Sequence, residues 1–230
     1  RAAAESTHRP PMTQSPLAGA TAALRGAALT FVADPFLVPS RDALRHEPDA
    51  LVVVADGRIA AFGPAAEWLP ALPPAVPVTR YDDALIVPGF IDTHVHYPQL
   101  PIVAAYGRTL LDWLDDYTYV AEQRFADPAF AAAVAEAFLD ESLRQGTTTA
   151  MVYGSVHAAS VDAIFAAAER RRLRLIAGKV LMDRHAPAAL TDTAQSGYDD
   201  SRALIARWHG RGRLGYAVTP RFAPTSTPAQ

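Results

Sequence analysis

Short apolar runs separated by turn residues fill the chain from about residue 23 to residue 85. The apolar runs at 51–55 and 58–62 flank Asp56 and Gly57. An Asp-Gly pair in this setting is a strong hairpin signal, because a type I′ turn needs positive φ at both central positions. The pattern predicts a small antiparallel β domain that is incomplete by itself. Four prolines interrupt the stretch that follows: Pro70, Pro73, Pro74 and Pro77.

The pattern changes after Leu85. Residues 85–92 form an apolar run typical of a parallel strand that is buried on both faces. A helix-rich stretch follows, in which Asp127 and Pro128 suit the start of a helix and Gly146 suits its end. Strand and helix alternate four times, which indicates right-handed βα units and a parallel sheet. Four units are half of an eightfold barrel, but the pattern alone also fits a small open sheet.

Later elements follow the same alternation and complete the prediction. Strands are expected at 147–153, 173–182 and 214–222, with helices at about 161–172 and 192–209. They give three segments overall: a disordered or non-native N-terminal extension (1–22), the N-terminal part of the β domain (23–85) and the first four βα units of a barrel (86–230). The extension is inferred because residues 1–11 show no periodicity and the first methionine is Met12.

Composition and charge exclude several classes of protein. The formal net charge of -3 gives no reason to expect a nucleic-acid partner. No cysteine is present, so any transition metal must be bound by His, Asp or Glu. No apolar run reaches the roughly 18 residues that suggest a membrane span. We therefore expect no membrane association and a cytoplasmic location.

A His-x-His pair follows directly on the first predicted parallel strand. Side chains alternate along an extended chain, so His94 and His96 point to the same side and can converge on one metal ion. They lie at the carboxyl end of the strand, where barrels of this kind carry their active sites. Asp92 could orient one imidazole. Spacing alone does not exclude that both histidines are ordinary polar residues at the end of a strand, because this short motif also occurs in many places that bind no metal.

The residues around this pair resemble those of a known family. Residues 88–99, Pro-Gly-Phe-Ile-Asp-Thr-His-Val-His-Tyr-Pro-Gln, resemble the metal-binding opening strand of the amidohydrolase superfamily, and the final Tyr-Pro-Gln is particular to guanine deaminases. Runs at 146–150, 177–184 and 219–225 fit the same family in order. The resemblance implies an α/β fold, namely the first half of a (β/α)8 TIM-type barrel preceded by the small antiparallel β domain, which is built from both chain ends.

The resemblance also implies a reaction. Such enzymes convert guanine to xanthine and ammonia with a metal-activated water, and they act in purine breakdown. One divalent ion, zinc in the first place and iron as the alternative, would be held by His94 and His96 with later residues. The later ligands and the proton-shuttling glutamate belong to strands after the fourth, so no catalytic residue is expected within this chain. The full-length protein is expected to be a homodimer.

Four residues are assigned to guanine as substrate, and the resemblance places them in the pocket. Gln99 offers an amide donor and an acceptor, and Arg221 offers a fixed fork of donors that matches guanine O6 and N7. Phe222 would stack on the purine, and Trp113 would form an apolar wall. Two alternatives stay open: Arg221 pairs with a carboxylate, and Trp113 is only a core residue.

Two other interpretations of the whole chain remain. The first is another hydrolase of the superfamily that acts on a cyclic amide or an amino-substituted ring. Binuclear members carry a carboxylated lysine on the fourth strand, whereas the only lysine here, Lys179, lies on the third predicted strand. The second is an inactive truncated fragment. Four βα units leave exposed sheet edges and an uncovered apolar interior, so the chain alone is expected to be inactive and to aggregate.

Overall fold

The computed structural model describes Leu17 and residues 19–230. The chain divides into two compact units between Pro88 and Gly89. Most of the predicted N-terminal extension lies outside the described residues. The first strand begins at Ala20, three residues before the predicted start of the β domain.

The N-terminal unit contains one four-stranded sheet with the order β3-β2-β1-β4. The hairpin between β2 and β3 turns at Asp56 and Gly57, whose φ angles of 50° and 70° confirm the predicted turn. Its core is formed by side chains such as Leu51 and Val53. The elements are β1 (Ala20–Phe31), α1 (Ser40–Ala43), β2 (Leu44–Ala55), β3 (Arg58–Pro64), α2 (Ala65–Trp68) and β4 (Val78–Ile86).

This sheet is mixed, whereas the sequence pattern predicts an antiparallel domain. Strand β1 pairs antiparallel with β2, and β2 with β3, as expected. Strand β4 instead pairs parallel with β1. The reason is the connection over residues 65–77, which contains α2 and carries the chain from one edge of the sheet to the other. Such a crossover permits parallel pairing, which a tight hairpin does not.

The C-terminal unit contains a parallel four-stranded sheet with the order β5-β6-β7-β9, and a short parallel pair of β8 and β10. The strand predicted at 147–153 is confirmed, whereas those predicted at 173–182 and 214–222 are each interrupted. The strands are β5 (Phe90–His96), β6 (Thr147–Tyr153), β7 (Arg174–Gly178), β8 (Val180–Leu181), β9 (Leu214–Tyr216) and β10 (Thr219–Pro220). The helices are α3 (Leu110–Trp113), α4 (Tyr119–Gln123), α5 (Pro128–Arg144), α6 (Ala158–Arg171) and α7 (Ala194–Trp208).

The predicted buried strand at 85–92 is wrong in two respects. Residues 85–86 end β4, whereas β5 starts at Phe90 in the other unit. Phe90 and Ile91 are 60% and 66% exposed, so this strand is not buried on both faces. The reason is that β5 is an edge strand of the described sheet. Exposure alternates in β6, an inner strand: Ala150 and Val152 are buried while Met151 is exposed, so one face of this strand is uncovered within the described residues.

Local capping explains the longest helix. The Asp127 carboxylate accepts the backbone N–H of Ala129 at 2.9 Å, and Pro128 occupies the first turn. Gly146 follows the helix with φ of 83°, which suits a residue without a side chain. These predictions are confirmed. The helix packs against α6, and together with α7 they cover one face of the sheet with a continuous apolar core.

Among the helices of the described residues, none has both the length and the apolar character that crossing a bilayer requires.

Candidate active site

The two histidines of β5 lie side by side at its carboxyl end. Their ring centroids are 5.4 Å apart. Both side chains border a cavity of about 570 Å³, so the prediction that alternation brings them to one side is confirmed. His94 is exposed and His96 is half-buried. Asp92, expected to orient an imidazole, instead accepts the backbone N–H of His94 at 3.0 Å.

Two of the four residues assigned to the substrate border the same cavity. Gln99 lies three positions after His96, and Trp113 ends α3. The Trp113 indole donates to the backbone carbonyl of Ala105 at 3.1 Å, which fixes the ring. The remaining wall is mostly apolar, and it includes Leu100 and Ile102. A cavity of this size and lining suits a small ring compound held by a few polar groups.

The other two assigned residues lie outside this cavity wall. Phe222 packs against an apolar cluster that includes Val180 and Met182. Arg221 pairs with the buried carboxylate of Glu122, so the alternative in which it binds a carboxylate is observed. Arg221 is still close enough to the histidine pair for its charge to depress the pKa of His96.

His96 is held in its neutral form. Burial lowers its pKa to about 3, and the charges of Arg221 and His94 contribute further. Within the described part of the chain, its Nδ1 is buried and has no hydrogen-bond partner. A neutral imidazole with an unpartnered nitrogen is the form that binds divalent metals. The histidine pair therefore fits a metal ion, although the described residues contain no cluster of three His, Asp or Glu side chains that could complete a site.

Tyr153, which the sequence analysis missed, lies against both histidines. Its ring stacks on His96 with centroids 4.4 Å apart and planes inclined by 9°. The centroid distance to His94 is 5.2 Å. Tyr153 ends β6, and it pairs in register with His96 at the end of β5. The sequence feature that could have identified Tyr153 is an aromatic residue at the carboxyl end of the neighbouring predicted strand.

Glu122 is the second residue that the sequence analysis missed. It lies in α4, and two residues three positions to either side are buried: Tyr119 in the same helix and Phe125 in the turn that follows it. A single carboxylate on an apolar helix face was the signal that could have revealed it. Its two oxygens accept Arg221 Nη1 at 2.6 Å and Nη2 at 3.1 Å, and Gln99 Nε2 donates to it at 3.3 Å. The site therefore contains a polar network that links residues 99, 122 and 221.

Lys179 does not reach this site as a metal ligand. Its side chain is 1% exposed and forms an ion pair with Asp192. Among the described residues, Lys179 is not part of the wall of the cavity that contains the two histidines.

Comparison with known proteins agrees with this geometry. The chain is 50% identical over 188 residues to guanine deaminase of Escherichia coli K12, which covers 82% of the chain and 43% of that protein. It is 45% identical over 195 residues to a probable guanine deaminase of Deinococcus radiodurans, which covers 83% of the chain and 44% of that protein. The chain spans less than half the length of these relatives.

The structure also matches that of a solved enzyme. The superposition on E. coli guanine deaminase has a TM-score of 0.86 at 46% identity, and it covers 91% of this chain and 49% of that one. The α/β fold is thus half of a TIM-type barrel with a preceding β sheet, as the resemblance implied. The Amidohydrolase family matches residues 85–230, which contain both histidines and every strand of the parallel sheet. The chain therefore belongs to the amidohydrolase family of metal-dependent hydrolases.

Proposed function

We propose that this chain supplies the opening half of an active site that deaminates guanine hydrolytically to xanthine and ammonia. The observation that carries the proposal is the cavity in which His94 and His96 lie beside Gln99 and Trp113. The similarity to proteins named guanine deaminase supports the choice of substrate. The reaction would belong to purine breakdown.

His94 and His96 would hold one divalent metal ion, with zinc as the first choice and iron as the alternative. The neutral state of His96 and its unpartnered Nδ1 support this assignment. When bound, such an ion supplies a Lewis acid that makes water a stronger nucleophile at neutral pH. The further ligands and the proton-shuttling residue would come from outside the 230 residues.

The substrate-binding roles rest on the chemistry of each side chain. Gln99 borders the cavity with its amide, and the fixed ring of Trp113 provides an apolar wall for a flat purine. Arg221 would supply donors to the purine from the N–H groups that Glu122 leaves unused. It has five donors, of which two are engaged by that carboxylate. Phe222, next to it in the chain, would stack on the ring.

Assembly and location stay predictions. The resemblance implies a homodimer in the cytoplasm. Nucleic acid and membranes are not proposed as partners.

The test uses the complete protein loaded with zinc. Guanine turnover is followed by ultraviolet absorbance and by ammonia release, and metal content is measured per chain. We expect turnover with one metal ion per chain, and the H94A/H96A variant should lose both. The H46A variant removes an exposed histidine of the other unit and should behave as wild type.

An H94A/H96A variant that retains its metal and turns guanine over would contradict the proposal. If the wild-type protein did not deaminate guanine but hydrolysed a triazine or a cyclic amide, the enzyme would belong to another substrate class.

A further inference from the structure

The buried carboxylate of Glu122 joins two side chains that are proposed to bind the substrate. Its Oε2 accepts Arg221 Nη1 at 2.6 Å. Its Oε1 accepts Arg221 Nη2 at 3.1 Å and Gln99 Nε2 at 3.3 Å. The Glu122 side chain is 0% exposed and that of Arg221 is 6% exposed. Both oxygens of a wholly buried carboxylate are therefore used to hold residues 99 and 221.

Stability alone does not explain this arrangement. Removing two charges from water is costly, and apolar residues of similar volume often stabilise a fold as well as a buried ion pair or better. A bidentate pair does fix the direction of both partners, because two parallel hydrogen bonds allow a single geometry. The network is thus better suited to orientation than to stabilisation.

We propose that Glu122 is a positioning residue that determines which end of the Gln99 amide faces the cavity. The inference rests on the proposed function, since it concerns how that cavity selects its substrate. An ionised carboxylate accepts hydrogen bonds and cannot donate them. The Gln99 amide must therefore turn its NH2 group towards Glu122.

The opposite end of the amide is then defined. Within the described part of the chain, Gln99 Oε1 has no hydrogen-bond partner, and the residue borders the cavity. Residue 99 thus turns its carbonyl oxygen, an acceptor, towards the substrate. This narrows the sequence interpretation, in which either end of the amide could face the ring.

An acceptor at this position selects a ring edge that carries N–H groups. Guanine has such an edge, with N1–H beside its 2-amino group. A purine with a bare ring nitrogen at that position would place two acceptors against each other and leave both unpaired, which costs binding free energy. Glu122 therefore favours amino-substituted lactam rings over rings that have only acceptors there.

The experiment compares wild-type complete protein with the E122Q variant. The amide introduced by this substitution can donate as well as accept, so it no longer forces one orientation of residue 99. The measurements are kcat/KM for guanine, metal content, and inhibition constants for 1-methylguanine and hypoxanthine, each of which lacks one donor of guanine. We expect E122Q to lower kcat/KM for guanine about tenfold through a higher KM. Of the two analogues, the one that lacks the donor bound by Gln99 should keep its inhibition constant.

The comparison of the three purines separates a positioning role of Glu122 from a general loss of structure. Damage transmitted through Arg221 or through the fold would weaken all three purines together, and metal content should not change. The control variant is E141Q, which removes an exposed carboxylate of α5 and should leave every measurement as in wild type.

A second variant keeps the inference testable if E122Q does not fold. The Q99M variant leaves the pair of Glu122 and Arg221 intact and removes the acceptor. It should lose the same discrimination between guanine and the analogue. If wild type deaminates guanine while either folded variant discriminates as wild type does, the inference is overturned. Wild-type protein that does not deaminate guanine would overturn the proposed function and this inference with it.

Discussion

His96 stacks on Tyr153, with ring centroids 4.4 Å apart and planes inclined by only 9°. The two residues end neighbouring parallel strands and pair in register. The contact restricts rotation of an imidazole that has an unpartnered, buried Nδ1 within the described residues. A candidate metal ligand is thus held by an aromatic face and not by a carboxylate.

Replacing Tyr153 should therefore weaken metal binding by the complete protein. We expect Y153A to raise the dissociation constant for zinc about tenfold, because groups that orient a ligand commonly contribute 10- to 100-fold to affinity. The Y153F variant retains the ring and should bind as wild type does. Competition with a chelator gives both constants. Equal affinity for all three proteins would show that the stacking does not orient the ligand.

Features that depend on a few neighbouring residues could be predicted from the sequence. The Asp56-Gly57 turn and the Asp127 cap follow from local backbone and hydrogen-bond chemistry. The placement of His94 and His96 follows from strand alternation. In each case the determining residues are adjacent in the chain, so no knowledge of the tertiary fold was needed.

Features that depend on distant residues could not be predicted in the same way. Glu122 and Arg221 are 99 positions apart. Hydrophobic periodicity does not indicate which carboxylate pairs with a given arginine. The parallel pairing of β4 depends on the path of the preceding connection. The exposure of Phe90 depends on which strands lie beside β5. Tertiary context decides all of these.

Gly178, the last residue of β7, should not tolerate a side chain. An added Cβ would lie 2.0 Å from the Ala217 carbonyl oxygen and 2.8 Å from Thr219 Oγ1. Backbone cannot move aside as a flexible side chain can, so we expect G178A to lower the free energy of unfolding by about 1–3 kcal/mol. Urea unfolding measures the change.

The matched control for this substitution is G215A in the same sheet. There the nearest atom to an added Cβ is Ile176 Cγ1 at 3.4 Å, which is an ordinary contact. G215A should unfold close to the wild-type midpoint. If G178A did so too, the close approach of residues 178 and 217 would be disproved.

Asp183 should make stability depend on pH. Hydrogen bonds from the side chain and backbone of Thr227 lower the pKa of its carboxyl group. A depressed pKa means that the stabilising contribution is present above the ordinary carboxyl value of about 3.9 and is lost as the pH falls through the folded value. The T227V variant should raise this pKa, as measured by carboxyl NMR titration.

The same variant gives a stability test. T227V should be less stable than wild type at neutral pH, and the difference should shrink as the carboxyl group is protonated in acid. Replacement of the exposed Thr21 by valine serves as the control and should leave the Asp183 titration unchanged. An unchanged titration in T227V would show that the hydroxyl does not stabilise the carboxylate.

The ion pair of Lys179 and Asp192 should be costly to break on one side only. The two side chains are 1% and 9% exposed, and Asp192 also accepts the backbone N–H of Met182. K179M would leave a buried carboxylate without its cation, which typically costs about 3–5 kcal/mol. The double variant K179M/D192N removes the charge as well, and it should recover much of that loss.

Urea unfolding should rank wild type first, the double variant second and K179M last. The control R41A, which breaks an exposed pair with Asp42, should change the free energy of unfolding by about 1 kcal/mol or less. If K179M were no less stable than the double variant, the carboxylate would not need its ammonium partner, and the pair would have to be regarded as structurally neutral.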